Sequence, residues 1–131
     1  MKTLRFLIVE DDEFQRLMLE KALRLAGAET ICAVANGALA IQTLRDRANG
    51  IDIVITDLMM PDVDGIELIE WLLASGHPAQ VILMSAAEQA LSAAAAIAEG
   101  NGMCVLGAIT KPITPEKIKA VLGPYLARAA R

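Results

Sequence analysis

Four of the chain's 16 acidic residues stand side by side, Glu10-Asp11-Asp12-Glu13, directly after an apolar run that closes at Val9. Asp57 follows a second apolar run, Ser85 a third, and Lys111, itself followed by Pro112, a fourth. Carboxylates brought together repel unless a cation joins them, and a bound dication is the natural neutraliser. Donors that are all oxygen select a hard metal, and one or two carboxylates with waters and a phosphate oxygen describe Mg²⁺. Beside such an ion a carboxylate becomes a nucleophile toward phosphorus, giving an aspartyl phosphate. Asp57 is the expected nucleophile, because it lies between the acidic pair Glu10 and Asp11 and Lys111. The lysine would hold one phosphoryl oxygen and the Ser85 hydroxyl would donate to another. No His/Cys nucleophilic set, glycine-rich phosphate loop or zinc spacing occurs in the sequence.

That chemistry requires elements that bring these residues to one place. Leu4 to Val9 reads as a first strand, and from Phe14 the spacing becomes helical, with Phe14, Leu17, Met18, Ala22 and Leu25 as the apolar positions up to Gly27. Thr30 to Val34 is a second strand. Asn36 suits the cap of a helix burying Leu39, Ala40, Thr43 and Leu44 and ending near Gly50. Ile51 to Thr56 is a β-branched run suited to a strand buried on both faces, and Leu58 to Gly65 is a loop containing Pro61. Ile66 to Ser75 reads as a helix with Ile66, Ile69, Leu72 and Leu73 inward. Val81 to Met84 is a fourth strand, Ala87 to Glu99 an alanine-rich helix, and Met103 to Ile109 a fifth strand. Thr114 caps the last helix, Pro115 takes its first position, and Ile118, Val121, Leu122, Tyr125 and Leu126 line it toward Arg131. Strict βα alternation predicts an α/β fold: a five-stranded parallel sheet, doubly wound, in the order 2-1-3-4-5. The order reverses between strands 1 and 3, and ligand sites lie beyond the strands' carboxyl ends at that point.

Composition narrows the function classes. The chain has 131 residues, enough for one domain with its own core, so residues 1–131 are read as a single unit. It is 55% hydrophobic with only 3% aromatics, so small and branched aliphatics must build a sheet covered on both faces. A net charge of −4 without a basic run argues against nucleic acid or anionic membrane as direct partners. No apolar stretch approaches the roughly 20 residues that span a bilayer, and Met1 leads at once into a strand-like segment, which leaves no room for a signal peptide. Cys32 and Cys104 fit no metal spacing and fall on strands predicted at opposite sheet edges, so no disulfide is expected, as suits a reducing cytoplasm.

The four motifs together resemble the response-regulator receiver domains of bacterial two-component signalling, a CheY-like, flavodoxin-like fold. They are Leu-Ile-Val-Glu-Asp-Asp at 7–12, Thr-Asp-Leu-Met-Met-Pro-Asp-Val-Asp-Gly at 56–65, Ile-Leu-Met-Ser-Ala at 82–86, and Lys111-Pro112. The resemblance covers the whole chain. It implies that Asp57 is the phosphoacceptor, that Asp11 and the Met59 carbonyl bind Mg²⁺ directly with Asp57, and that Glu10 holds a metal-bound water. Ser85 becomes the switch hydroxyl, Lys111 the phosphoryl-binding lysine, and Pro112 follows a cis peptide. Ala108 stands where such domains often carry an aromatic that reports phosphorylation. The segments Glu-Asp-Asp-Glu-Phe-Gln-Arg at 10–16 and Gly102 to Pro112 are similar to receivers fused to EAL cyclic-di-GMP phosphodiesterase domains.

The resemblance therefore implies a signalling switch that is not an enzyme in the usual sense. Its partners would be a sensor histidine kinase or phosphotransfer protein on one side and an output domain or target on the other. Two copies would pair through helix 4, strand 5 and helix 5. Three other classes fit less well. An aspartate-dependent phosphatase commonly has its nucleophile after the first strand and a substrate cap, and a flavin module would have its phosphate repelled by Glu10–Glu13. A constitutive interaction module has no use for the intact acidic pair. Other residues read as structural: Asp12 and Glu13 as helix-start acids, Asp62 and Asp64 as turn formers, His77 as a solvated turn residue, and Trp71 and Tyr125 as packing.

Overall fold

The computed structural model describes residues 3–129 apart from Pro61, so Met1, Pro61 and Arg131 lie outside the described residues. Five strands, β1 (Arg5–Val9), β2 (Thr30–Val34), β3 (Ile53–Asp57), β4 (Gln80–Ser85) and β5 (Val105–Thr110), alternate with α1 (Glu13–Leu25), α2 (Gly37–Arg45), α3 (Gly65–Ser75), α4 (Glu88–Gly100) and α5 (Pro115–Ala129). Every strand pair is parallel and the order is β2-β1-β3-β4-β5, as the alternation predicts. Register sets Val9 opposite Thr56 and Asp57 opposite Met84, so the ends of β1, β3 and β4 finish close together.

Strand side chains alternate between two cores. Leu7, Val9, Val54, Val81 and Leu83 pack with Ala40 and Leu44 of α2, Leu68 and Leu72 of α3, and Leu91 and Ala98 of α4. Phe6, Ile8, Ile53, Ile55, Ile82 and Met84 pack with Leu19, Ala22 and Leu23 of α1 and with Ile118 and Leu122 of α5. All five β3 positions are buried, which suits its β-branched run Ile53–Thr56.

Local chemistry sets the helix starts. Asp12 Oδ1 accepts the Gln15 N–H at 2.9 Å, Asn36 Oδ1 that of Leu39 at 2.8 Å, and Asp64 Oδ1 that of Glu67 at 2.9 Å. Thr114 Oγ1 caps α5 through the Lys117 N–H at 3.2 Å. The β5 boundary moves from the expected Met103 to Val105 because the Met103 N–H turns back to the Ala98 carbonyl of α4. One residue is bulged where Val81 faces Val105 but Ile82 faces Gly107. A Cβ on Gly107 would lie 2.6 Å from Val121 Cγ1, so the absence of a side chain there makes room for Val121 of α5.

Three helical faces differ from expectation. Of the apolar positions assigned to α1, only Ala22 is buried; Phe14, Leu17, Met18 and Leu25 are 50–71% exposed, and Leu19 and Leu23 replace them inside. At about 100° per residue, the exposed stripe lies roughly a third of a turn from the buried one. On α2, Leu39 is exposed and Gly37 buried, because the helix abuts the loop before α3 at Val63. On α3, Leu68 is fully buried, while Ile66 and Leu73 pack only at the margin of the core.

The same loop makes Gly65 obligatory: a Cβ there would lie 2.4 Å from the Asp57 carbonyl oxygen and 2.8 Å from Leu58 Cα. We expect Gly65→Ala to destabilise the fold by about 1–3 kcal/mol in urea unfolding. Gly100→Ala, where a Cβ meets nothing within 4 Å, should instead be neutral or stabilising by up to about 1 kcal/mol.

Candidate functional site

The carboxyl ends of β1, β3 and β5 converge on one ionic cluster. Oxygens of Glu10, Asp11 and Asp57 all lie within 4.8 Å of one another. Glu10 and Asp57 are buried and Asp11 is exposed at the rim. Lys111 comes from the β5 side and donates to Asp57 Oδ2 at 2.5 Å and to Glu10 Oε1 at 2.6 Å. Its backbone N–H donates to the Ser85 carbonyl at 2.9 Å, and its peptide bond to Pro112 is cis, as the resemblance implies.

Backbone donors complete the cradle. The Met59 N–H donates to Asp57 Oδ1 at 3.0 Å, and the Asp12 N–H to Glu10 Oε2 at 3.2 Å. Glu10 is held further by its N–H on the Val34 carbonyl and by Arg16 Nη1 on its own carbonyl at 2.9 Å. Ser85 is fully buried at the end of β4, where its hydroxyl oxygen accepts the Ala87 N–H at 3.0 Å. The hydroxyl proton is not used in that bond. The structure thus brings Glu10, Asp11, Asp57 and Lys111 into one cluster and sets Ser85 at its edge. Met59 meets Asp57 through its N–H, with its side chain exposed.

Two contributors escape the sequence reading. Gln15 Oε1, from the first turn of α1, accepts from Lys111 Nζ at 2.6 Å. The Ala87 N–H fixes the Ser85 hydroxyl. Neither has a signature in sequence, because a helical glutamine and a backbone amide carry no charge pattern. Asp12 is the α1 cap and Asp62 adopts a positive φ of 65° in the loop, as expected of them, whereas Asp64, expected as a turn former, is the α3 cap. His77, far from the cluster, accepts the Ala79 N–H and stacks obliquely near Trp71; burial and then the charge of Arg47 lower its pKa.

Electrostatics follow from three carboxylates facing one ammonium. Burial pushes the Glu10 carboxyl above the ordinary glutamate value, against the pull of its Lys111 and Asp12 hydrogen bonds, and the Asp57 charge adds to the rise. Burial alone would pull the Lys111 ammonium down, but its bonds to Asp57 and Glu10 together raise it. Beside the cluster a cleft of about 640 Å³ opens between α1 and the segment after β5, lined by Phe14, Met18, Ala86, Pro112 and Ile113.

Removing the cation tests this balance. Lys111→Met should lower stability at neutral pH by about 1–3 kcal/mol, since it strips a donor from two buried carboxylates. Glu10, with its pKa raised in the folded state, favours folding below the unfolded value and loses that contribution as pH rises through the folded one. The deficit should therefore narrow in acid, read as converging urea midpoints of parent and variant.

Comparison with known proteins agrees with this geometry. Residues 6–123 match the response regulator receiver domain. The cyclic di-GMP phosphodiesterase RocR of Pseudomonas aeruginosa is 35% identical over 129 residues, 98% of this chain but 33% of that protein, so the chain spans about a third of RocR. The chemotaxis protein CheY of Thermotoga maritima is 31% identical over 118 residues, covering 90% of this chain and 93% of that one. A response regulator from Colwellia psychrerythraea superposes with a TM-score of 0.83 at 30% identity, covering 97% and 99% of the two chains. No described helix is long and apolar enough to cross a membrane. With five parallel strands in CheY-like order and an acidic cluster at the switch point of the sheet, the chain belongs to the response regulator receiver domains, which are signalling modules of two-component systems.

Proposed function

We propose that this chain, taken as one receiver unit over residues 1–131, is a cytoplasmic switch that accepts a phosphoryl group on Asp57. The observation that carries this reading is the position of the Asp57 carboxylate. One oxygen is held by the Met59 N–H and the other by Lys111, within 4.8 Å of the oxygens of Glu10 and Asp11. The all-oxygen donor set fits Mg²⁺, with Asp11, Asp57 and the Met59 carbonyl as direct ligands and Glu10 acting through water. When bound, the ion would neutralise the carboxylates and the phosphoryl oxygens, permitting two anions to approach.

This chain's residues do the rest. An Asp57 oxygen forms the bond to phosphorus as the bond to the donor's leaving group breaks, and the leaving group takes that electron pair. Lys111 exchanges its Asp57 contact for a phosphoryl oxygen, while Ser85 donates its unused hydroxyl proton to another. Both residues lie on the β4–β5 side, so their movement biases the face made by α4, β5 and α5 between two states. Ala108 is exposed on β5, so no aromatic swings there and the readout runs through backbone and helix position. A second copy or an output domain would bind that face.

The phosphodonor is a sensor histidine kinase, a phosphotransfer protein or a small phosphodonor. A protein donor would approach over α1, where Phe14 and Met18 are exposed beside the cleft leading to Lys111. The similarity to RocR, a cyclic di-GMP phosphodiesterase, supports an enzyme of that kind as the output.

Incubation with acetyl phosphate and Mg²⁺ should add one phosphate by intact mass. Asp57→Asn should abolish that addition, and persistent labelling of the variant would refute the assignment. The positions that tune hydrolysis, two residues after Asp57 and two after Ser85, are Met59 and Ala87, neither with a side chain able to orient water. Self-dephosphorylation should accordingly take minutes or longer, and decay within seconds in purified protein would contradict this.

A further inference from the structure

The Lys111 ammonium has three N–H donors and three acceptors: Asp57 Oδ2 at 2.5 Å, Glu10 Oε1 at 2.6 Å and Gln15 Oε1 at 2.6 Å. Two of these acceptors are anions with other work in the proposed reaction, one as nucleophile and one toward the cation. Gln15 is the third, neutral, and claimed by nothing else in that chemistry. Its orientation is fixed by donor logic, since an amide NH₂ turned toward an ammonium would set donor against donor. Its backbone is fixed as well, because the Gln15 N–H is the one that Asp12 caps at 2.9 Å. Side chain and main chain are thus anchored at opposite ends of a single residue in the first turn of α1.

The geometry points to Gln15 as a positioning residue for Lys111, a role that rests on the phosphoacceptor reading of Asp57. When cation and phosphoryl group occupy the carboxylates, Gln15 remains the acceptor that keeps Nζ over the Asp57 side of the cleft. Two N–H groups are then left for phosphoryl oxygens. Without it the ammonium must be held by groups that are themselves exchanging partners, and its flexible four-carbon stem can swing into the neighbouring 640 Å³ cleft. Arg16, the next residue, anchors the Glu10 carbonyl, so the Gln-Arg pair at 15–16 secures both the lysine and the acid it contacts.

Two variants of matched length test this. Gln15→Met removes the oxygen, and Gln15→Glu keeps one. In ¹⁵N-labelled, metal-free protein at mildly acidic pH, the Lys111 ammonium resonance is assigned by its loss in Lys111→Met. It should persist in the parent and in Gln15→Glu and broaden through faster proton exchange in Gln15→Met. With acetyl phosphate and Mg²⁺, the second-order rate constant for labelling Gln15→Met should fall about 3- to 10-fold, the range for one net hydrogen bond. An ammonium resonance in Gln15→Met that matches the parent, or a labelling rate equal to the parent's, overturns the role. Labelling that survives Asp57→Asn overturns the phosphoacceptor reading instead. The resonance comparison, made without metal or donor, still decides whether Gln15 holds the lysine.

Discussion

Like charges at short range are the constraint from which the rest of this molecule follows. Glu10, Asp11 and Asp57 place oxygens within 4.8 Å of one another, and two of the three residues are buried. Such an arrangement persists in a fold only if cationic and backbone donors compensate it. Lys111 supplies the cation, the Met59 and Asp12 amides supply the dipoles, and Arg16 holds the main chain that bears Glu10. Compensation is partial, since three carboxylates face one ammonium. That residual imbalance leaves the cluster with net negative charge at the strand ends.

The doubly wound sheet is what brings these groups together. Glu10 and Lys111 are separated by 101 residues in the chain yet share a hydrogen bond of 2.6 Å. The reversal of strand order sets β1 beside β3, while β4 and β5 complete the other flank. The helices of both faces cover the apolar strand residues, and the polar residues at the strand ends are left in the crevice between them. The close approach of Gly65 to the Asp57 carbonyl ties the start of α3 to the same point. Asp57, its backbone cradle and the loop therefore form one packed unit.

Most of this was legible in the sequence, and the reason is physical. Apolar runs that end abruptly in a carboxylate, a hydroxyl or an ammonium state both the element and where it stops. Strict alternation then fixes parallel pairing. Helical faces were less legible. On α1 two apolar stripes compete, and hydrophobicity alone cannot say that Leu19 and Leu23 meet the sheet while Phe14 and Met18 face outward. On α2 the decisive contact is steric, between Gly37 and Val63, residues distant in sequence. Gln15 was invisible for a related reason: its importance comes from where Lys111 arrives, and the lysine lies 96 residues away.

The contact between Gly107 and Val121 bears on how such a sheet can transmit motion. A Cβ built on Gly107 would lie only 2.6 Å from a Val121 methyl, so at that point the Val121 side chain of α5 rests directly on the β5 backbone. With so little space at that contact, a displacement of the Lys111 end of β5 would press on α5 through Val121. On the other side of the same strand, Ala108 leaves a low surface with nothing to rotate. A partner on this edge would then sense a change of shape in the whole β5–α5 pair, a translation of surface in place of the turning of a ring.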